Sequence, residues 1–354
     1  MARSPSPPLP TEPAAAPARP GRVQMVDIAR LAGVSVSTVS RAMAGSTLIN
    51  PETRQRITEL ARSHNYSVNA GAQNLRLKQN RTVSVVVPYD PQTRQHLSDP
   101  FFLSLIGGIA DALTEQGHEM LLSRVDANQL DQAASAYHTG RAMGVVLIGQ
   151  WHQHDQLNAM ASQGVPFVVW GAQLPDQLYA SVGSDNVEGG RLATEHLLQQ
   201  GARRIAFLGD PDLPEFGQRH QGYLQAHEAA GLMADPSLTL PVPMLPDAPA
   251  RAMEDLHRHG PPIDAMFAAS DLMAMTAVGA LRRLGRHVPE DLLVVSYDDI
   301  ALAAHAHPPL TTVPQPVEAA GQMLVASLKA LLAGEPPVRR KLPTELIVRD
   351  SSRR

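Results

Sequence analysis

Residues 23–43 read Val23-Gln-Met-Val-Asp-Ile-Ala-Arg-Leu-Ala-Gly-Val-Ser-Val-Ser-Thr-Val-Ser-Arg-Ala-Met43. Ile28, Ala29, Leu31, Ala32 and Val34 are apolar at helical and turn spacing, and Gly33 permits a tight turn because glycine tolerates positive φ. Ser35 is a good N-cap for a second helix running from about Val36 to Met43. On that helix Val39 and Ala42 turn toward a small core, which leaves Val36, Ser37, Ser40 and Arg41 facing outward. Asn50-Pro51-Glu52 announces a third helix: a cap, a proline at the first helical position and an acid in the first turn. Ile57, Leu60 and Ala61 form its buried stripe. Two short helices around a tight turn, the second bearing small polar residues and an arginine, is how a helix-turn-helix presents a recognition helix to the DNA major groove. The competing reading, a protein-interaction module, fits less well. Serines and Arg41 suit phosphates and base edges better than an apolar partner.

Charge divides the chain in the same place. Residues 1–81 carry eleven Lys and Arg against four Asp and Glu, whereas residues 82–354 carry nineteen against thirty. A basic head on an acidic body predicts that the head alone meets a polyanion. There is no cysteine, so thiolate metal sites, thiol nucleophiles and disulfides are excluded. Residues 1–21, rich in Pro, Ala and Ser, read as a disordered tail without the apolar core of a signal peptide. No stretch reads as a membrane span, so the expected location is cytoplasmic.

From residue 82 onward, strand-like runs alternate with helical ones. Val83–Val87 precedes a helix near Phe101–Gln116, and Met120–Leu122 precedes another near Gln129–Thr139. Gly144–Ile148, Pro166–Trp170, Ile205–Leu208, Ala265–Ala268 and Leu292–Ser296 continue the pattern. Continuous apolar strands between amphipathic helices indicate parallel sheets covered on both faces. About ten strands are more than one sheet holds comfortably, so an α/β body of two doubly wound lobes is expected. Ligands of such sheets bind beyond the strand carboxyl ends, here the cleft between lobes. Trp151 and Trp170 both fall at strand carboxyl ends, where an indole can stack on the apolar face of a pyranose or simply pack in the core. His152, His154 and Asp155 lack a fourth ligand at convincing spacing, so no metal and no cofactor are expected. No nucleophile elbow, phosphate loop or nucleotide fingerprint is present, which argues against an enzyme.

The run Asp27–Arg41, continued by Asn50-Pro-Glu-Thr-Arg54 and Asn65-Tyr66, resembles the signature of the LacI/GalR family of bacterial repressors. Further matching runs reach residue 350. Among them are Ser181–Asn186, Arg219–Tyr223, Ala269–Ala274 and Ser296–Asp299. The resemblance implies a head (22–66), a hinge helix and linker (67–81) and a periplasmic-binding-protein-like body for effector binding and dimerisation (82–354). It implies that Val36, Ser37 and Arg41 read bases, while Ser35, Thr38, Ser40 and Asn50 hold phosphates. Asn69 begins the hinge match, and Leu75 takes the place of a leucine wedged into the minor groove. Val68, where the family usually has proline, and Gly71 loosen that hinge.

In the body, Arg219 is implied to reach the effector, and Asp298 to close on it from the other lobe as an acceptor of hydroxyl protons. Asp185 belongs to the same implied set. Asp271 lies near a helix start, so capping and ligand contact both remain open. Phe101 is expected on the ligand and Phe102 on the core, and Gly171 departs from the acid usual in the family. The expectation is a regulator, usually a repressor, acting as a homodimer on a palindromic operator under control of a small molecule, a sugar before a purine or a phosphorylated compound. A sugar-binding protein without DNA function explains the body but not the basic head.

Overall fold

The computed structural model describes residues 25–43, 46, 48–64, 80–90 and 97–353. The expected tail and the hinge positions Asn69 and Leu75 lie outside the described residues. The chain divides into two compact units, residues 1–78 and 79–354. Among the described residues no helix is long and apolar enough to cross a membrane.

In the first unit, α1 (Met25–Ala32), α2 (Val36–Met43) and α3 (Pro51–Ser63) close on a core of Ile28, Ala29, Ala32, Val39, Ala42 and Ile57. Gly33 makes the turn at φ +65°. The Ser35 Oγ accepts from the Thr38 N–H (3.1 Å), and the Asn50 Oδ1 accepts from the Glu52 N–H (2.9 Å). Each cap satisfies a backbone donor that a helix start leaves without a partner. Leu31, though apolar and in the same run, lies off this core and is 50% exposed. At about 100° per residue, it turns off the face set by Ile28, Ala29 and Ala32. Arg56 was not foreseen: its Nη2 donates to the Ala32 carbonyl (3.1 Å) and ties α3 to the end of α1.

The second unit holds two parallel sheets. In the first lobe the order is β11-β5-β4-β3-β1-β2, from β1 (Thr82–Tyr89), β2 (Glu119–Asp126), β3 (Gly144–Ile148), β4 (Phe167–Trp170), β5 (Ala180–Ser184) and β11 (Arg339–Leu342). In the second it is β10-β9-β8-β6-β7, from β6 (Ile205–Leu208), β7 (Thr239–Leu240), β8 (Ala265–Ala268), β9 (Leu293–Asp298) and β10 (Thr311–Pro314). Strand periodicity sorts the first lobe's core into two faces. Val146, Ile148, Val168 and Trp170 pack with α4 (Pro100–Glu115) and with the late helix Val317–Leu332. Val145, Leu147, Phe167 and Val169 pack on the opposite side. The helix expected near Gln129–Thr139 is instead a 3₁₀ segment, Leu130–Ala134, followed by one turn, α5 (Ser135–His138). Leu130, Ala133, Ala134 and Tyr137 still turn one apolar face to the core, but the first part of the segment is wound as 3₁₀.

The chain crosses between lobes three times. It leaves β5 through α7 (Asn186–Gln199; α6 is His154–Ser162), returns after β10 into α11 (Val317–Leu332), and passes back after β11, where Ile347 pairs with Thr312. In the second lobe α8 (Pro214–Ala229) lies against α7 with almost no side chain between them. A Cβ on Gly222 would stand 2.0 Å from the Val187 carbonyl, and one on Gly190 2.1 Å from that of Arg219. This close approach sets the start of α7 beside the first turns of α8, and both face the cleft.

Candidate functional site

Two surfaces carry the chemistry, one in each unit. On the head, Ser35, Val36, Ser37 and Arg41 are exposed, and Thr38 and Ser40 are partly so. Val36 keeps 42% of its surface open, although a core residue of its type would be covered. Ser35 Oγ lies 2.8 Å from both the Ser37 Oγ and the Thr38 Oγ1, so three hydroxyls cluster at the start of α2. Such a helix start offers donors to an anion. Asn50 is exposed at the start of α3.

In the body, a cavity of about 90 Å³ opens between the lobes at the carboxyl ends of the strands. Its first-lobe wall is aromatic. Trp170 ends β4 and its ring lies 6.4 Å from that of Phe101, which in turn lies 5.7 Å from Phe102. Trp151 follows β3 and adopts φ +50°, and Asp298 across the cleft adopts φ +114°. Non-glycine residues hold such angles only where their surroundings enforce them, commonly at binding sites. Both Phe101 and Phe102 line the cavity, and Phe102 also packs on the first-lobe core, as expected of it. Phe101 also packs against the cores of both lobes.

The opposite wall is polar and centred on Arg219. This guanidinium is buried over the Tyr297 ring, with its Cζ 3.7 Å from the ring centroid. Its Nε donates to the Asn186 Oδ1 (2.9 Å), its Nη1 donates to the Ala269 carbonyl, and Asp298 lies 3.7 Å away. Gln315 donates to the Asp298 carboxylate at 2.7 Å. Burial holds the Asp298 carboxyl well above the ordinary carboxylate range, against the pull of Arg219. Asp298 ends β9, in the same sheet as the β6 strand that leads into α8. It therefore sits in the same lobe as Arg219, and the expected closure from opposite lobes is corrected.

Asp185 and Asp271 stand away from the cavity. Asp185 is not among the residues lining the cavity. Its carboxylate caps α7 through the Glu188 N–H (3.3 Å) and meets Lys341 (3.2 Å), while the next residue, Asn186, takes the place on the cleft. Asp271 is wholly buried and neither caps nor lines the cavity. Ser270 is the cap of α10 (Asp271–Arg283; α9 is Ala248–His259). The Asp271 carboxylate accepts from Ser296 (2.5 Å), Thr312 (2.7 Å) and the Ile300 N–H (2.8 Å), which locks α10 to β9 and β10. Desolvation pushes its pKa up to about 6.

Several cleft residues had not been foreseen from the sequence: Glu215, Asn186, Ser184 and Gln315. The Ser184 Oγ lies 3.1 Å from the Tyr297 Oη and so joins the two lobes behind the cleft. Gln218 Nε2 donates to the Gln173 carbonyl (2.8 Å), a second bond between lobes. A proline after two turn residues, Asp212-Leu213-Pro214, could have flagged a helix start at the cleft and with it Glu215. Around His152 and His154, no cluster able to hold a metal exists among the described residues. His154 contacts the Tyr179 Oη (2.9 Å) instead.

A three-helix DNA reader joined in one chain to a two-lobed ligand-binding body defines a transcriptional regulator. Residues 24–69 match the bacterial regulatory proteins of the lacI family, and residues 194–352 match the periplasmic binding protein-like domain. The HTH-type transcriptional regulator CelR of Thermobifida fusca is 37% identical over 92% of this chain and 96% of its own length. The HTH-type transcriptional repressor CytR of Escherichia coli is 31% identical over 93% of this chain and 96% of its own. A solved CelR–cellobiose complex superposes with a TM-score of 0.70 at 36% identity, covering 93% of this chain and all of that one. The lac repressor dimer bound to operator shares the fold, with a TM-score of 0.84 at 23% identity over 94% of this chain and all of its own. The chain belongs to the LacI family of bacterial regulatory proteins.

Proposed function

We propose that the chain is a sugar-responsive repressor that acts in the cytoplasm as a homodimer on a palindromic operator. Residues 22–66 would read DNA, 67–81 would form the hinge and 82–354 would bind effector and partner. Val36, Ser37 and Arg41 would meet base edges, and Ser35, Thr38, Ser40 and Asn50 would meet phosphates. Asn69 and Leu75 would serve at the hinge. A dimer of such heads reads two half-sites related by its own two-fold axis, which is why the operator is palindromic.

The observation that carries the effector class is the pairing of aromatic and polar walls. Trp151, Trp170 and Phe101 supply apolar faces for the C–H side of a sugar ring, and Arg219 and Asp298 supply a donor and an acceptor for its hydroxyls. A phosphorylated effector fits less well. Among the described residues, the ionisable groups lining the cavity are the carboxyls Asp99, Glu215 and Asp298 and the guanidinium of Arg219. The relative solved in complex with cellobiose supports a sugar as the first probe. A sugar controls DNA affinity only through a difference in its own affinity for the two states of the body.

The test is fluorescence anisotropy of a labelled palindrome taken from upstream of the gene, at fixed salt, with and without cellobiose, glucose and ribose. Salt must be fixed because phosphate contacts make affinity salt-dependent. A shift of operator affinity with one sugar, and none on random DNA, is the expected result. Equal binding to palindrome and random DNA would overturn the operator reading.

A further inference from the structure

The cleft does not end at the cavity walled by Trp170 and Arg219. Two further cavities adjoin it, one of about 120 Å³ and one of about 230 Å³. Among the described residues, those lining both the central cavity and its smaller neighbour are Trp151, Leu213 and Met244, which make an apolar waist. Beyond that waist the chamber turns polar. Asp90, Asn128 and His152 follow β1, β2 and β3 of the first lobe, and Asp210 follows β6 of the second. The larger chamber is the reverse. It is entered past Asp99, Ser270 and Met244, and its walls are mostly apolar, with Pro246, Leu272 and Met273 among them.

The sequence of surfaces on the polar side matches the sequence of groups along a disaccharide. Each ring carries hydroxyls on its rim, while the glycosidic oxygen between the rings carries no proton to donate. A hydroxyl held at the waist would lose its water without gaining a partner, whereas an ether link loses little there. We propose that the effector is a disaccharide or a longer saccharide, with one ring in the central cavity, the link at the Trp151–Leu213–Met244 waist and the next ring among Asp90, Asn128, His152 and Asp210. The inference deepens the sugar reading and rests on it. The carboxylates accept from hydroxyls, and the Asn128 amide and the His152 ring each offer a donor and an acceptor. Both lobes wall this chamber, so the second ring gains its full set of contacts at only one lobe separation. It thereby adds to the difference in affinity between the two states of the body.

The test is isothermal titration calorimetry on the full chain with glucose, cellobiose, maltose and phenyl β-glucoside, alongside melting of each variant. Wild type should prefer one of the disaccharides to glucose by about tenfold or more, the size of two added neutral hydrogen bonds. Asn128 and His152 are exposed, so the double variant Asn128→Ala/His152→Ala should melt with wild type while losing most of that preference. Leu272→Ala, in the apolar chamber, should keep it. Equal affinity for glucose and both disaccharides, or a preference intact in the double variant, overturns the second-ring site while leaving the sugar reading standing. Tighter binding of phenyl β-glucoside than of either disaccharide, or a preference lost in Leu272→Ala, would put the extension in the apolar chamber and overturn the assignment in the same way. Silence of the wild type toward all four probes overturns the sugar reading, and this inference with it.

Discussion

The head and the cleft solve recognition in opposite ways. On the head, the candidate contacts are exposed side chains on one short helix, and their positions follow from helical spacing and two caps. In the cleft the polar contacts are buried and come from α8, β9 and the crossovers. Arg219 alone engages Asn186, Ala269, Tyr297 and Asp298. Single substitutions on the head should therefore act locally, while those in the cleft should affect binding and stability together.

The largest expected effect is at Arg219. Arg219→Ala leaves Asp298 buried without its counter-charge and strips the Tyr297 face. The body should lose about 3 kcal/mol, along with the sugar response. Arg219→Lys should rescue little, since an ammonium lacks both the planar fork that reaches the Asn186 and Ala269 oxygens and the flat face that covers the Tyr297 ring. Urea denaturation followed by tryptophan fluorescence checks this. An unchanged midpoint would break the claim that ligand contact and stability are coupled in the cleft. The counterpart on the head is Ile57→Ala, which removes a fully buried side chain from a core of six residues. A cost of about 2–4 kcal/mol is expected. Operator binding should fail while sugar affinity and the melting of the body stay as they were. A shift in both would show that the two units are not independent.

A third expectation concerns pH. Asp271 has an ordinary pKa of 3.8 and one of about 6 in the fold. The folded chain therefore holds a proton that the unfolded chain has released. Its contribution is complete below about pH 3.8 and is lost as pH rises to about 6, by something on the order of 3 kcal/mol. Asp271→Asn should flatten that slope in melting curves recorded between pH 4 and 7. A wild-type curve equally flat would remove Asp271 as its source.

Periodicity and capping carry most of the fold into view from sequence alone. Val145 to Ile148 and Phe167 to Trp170 read as buried strands because every residue is apolar, and Ser35, Asn50 and Pro51 mark helix starts. β5 (ASVGS) and β11 (RRKL) are too polar or too charged to be read as strands by composition, and they join the sheet through pairing with neighbours. Resemblance pointed to Arg219 and Asp298, but not to their sharing one lobe, which depends on sheet order. Asp271 could not be separated from a cap or a ligand contact, because its three donors come from residues 25 to 41 positions away. Glu215 stayed hidden for the same reason: it reaches the cleft from α8, while the aromatic wall it faces comes from residues 45 to 114 positions earlier.

The smallest expected effect sharpens the head side of the contrast. Ser35→Ala removes the acceptor of the Thr38 N–H and should cost about 1 kcal/mol, seen as faster amide exchange across Val36–Met43. Taken alone, that result cannot separate a cap from a phosphate contact. Ser35→Asp can, because aspartate caps as well as serine and adds favourable charge at a helix start, yet it places a carboxylate where a phosphate would lie. Amide exchange in Ser35→Asp should match or improve on wild type. Operator affinity should fall severalfold, with the loss greatest at low salt, where repulsion is least screened. Wild-type operator affinity in Ser35→Asp would mean that the hydroxyl cluster at the start of α2 only builds the helix. The DNA contacts would then begin further along, at Ser37 and Arg41.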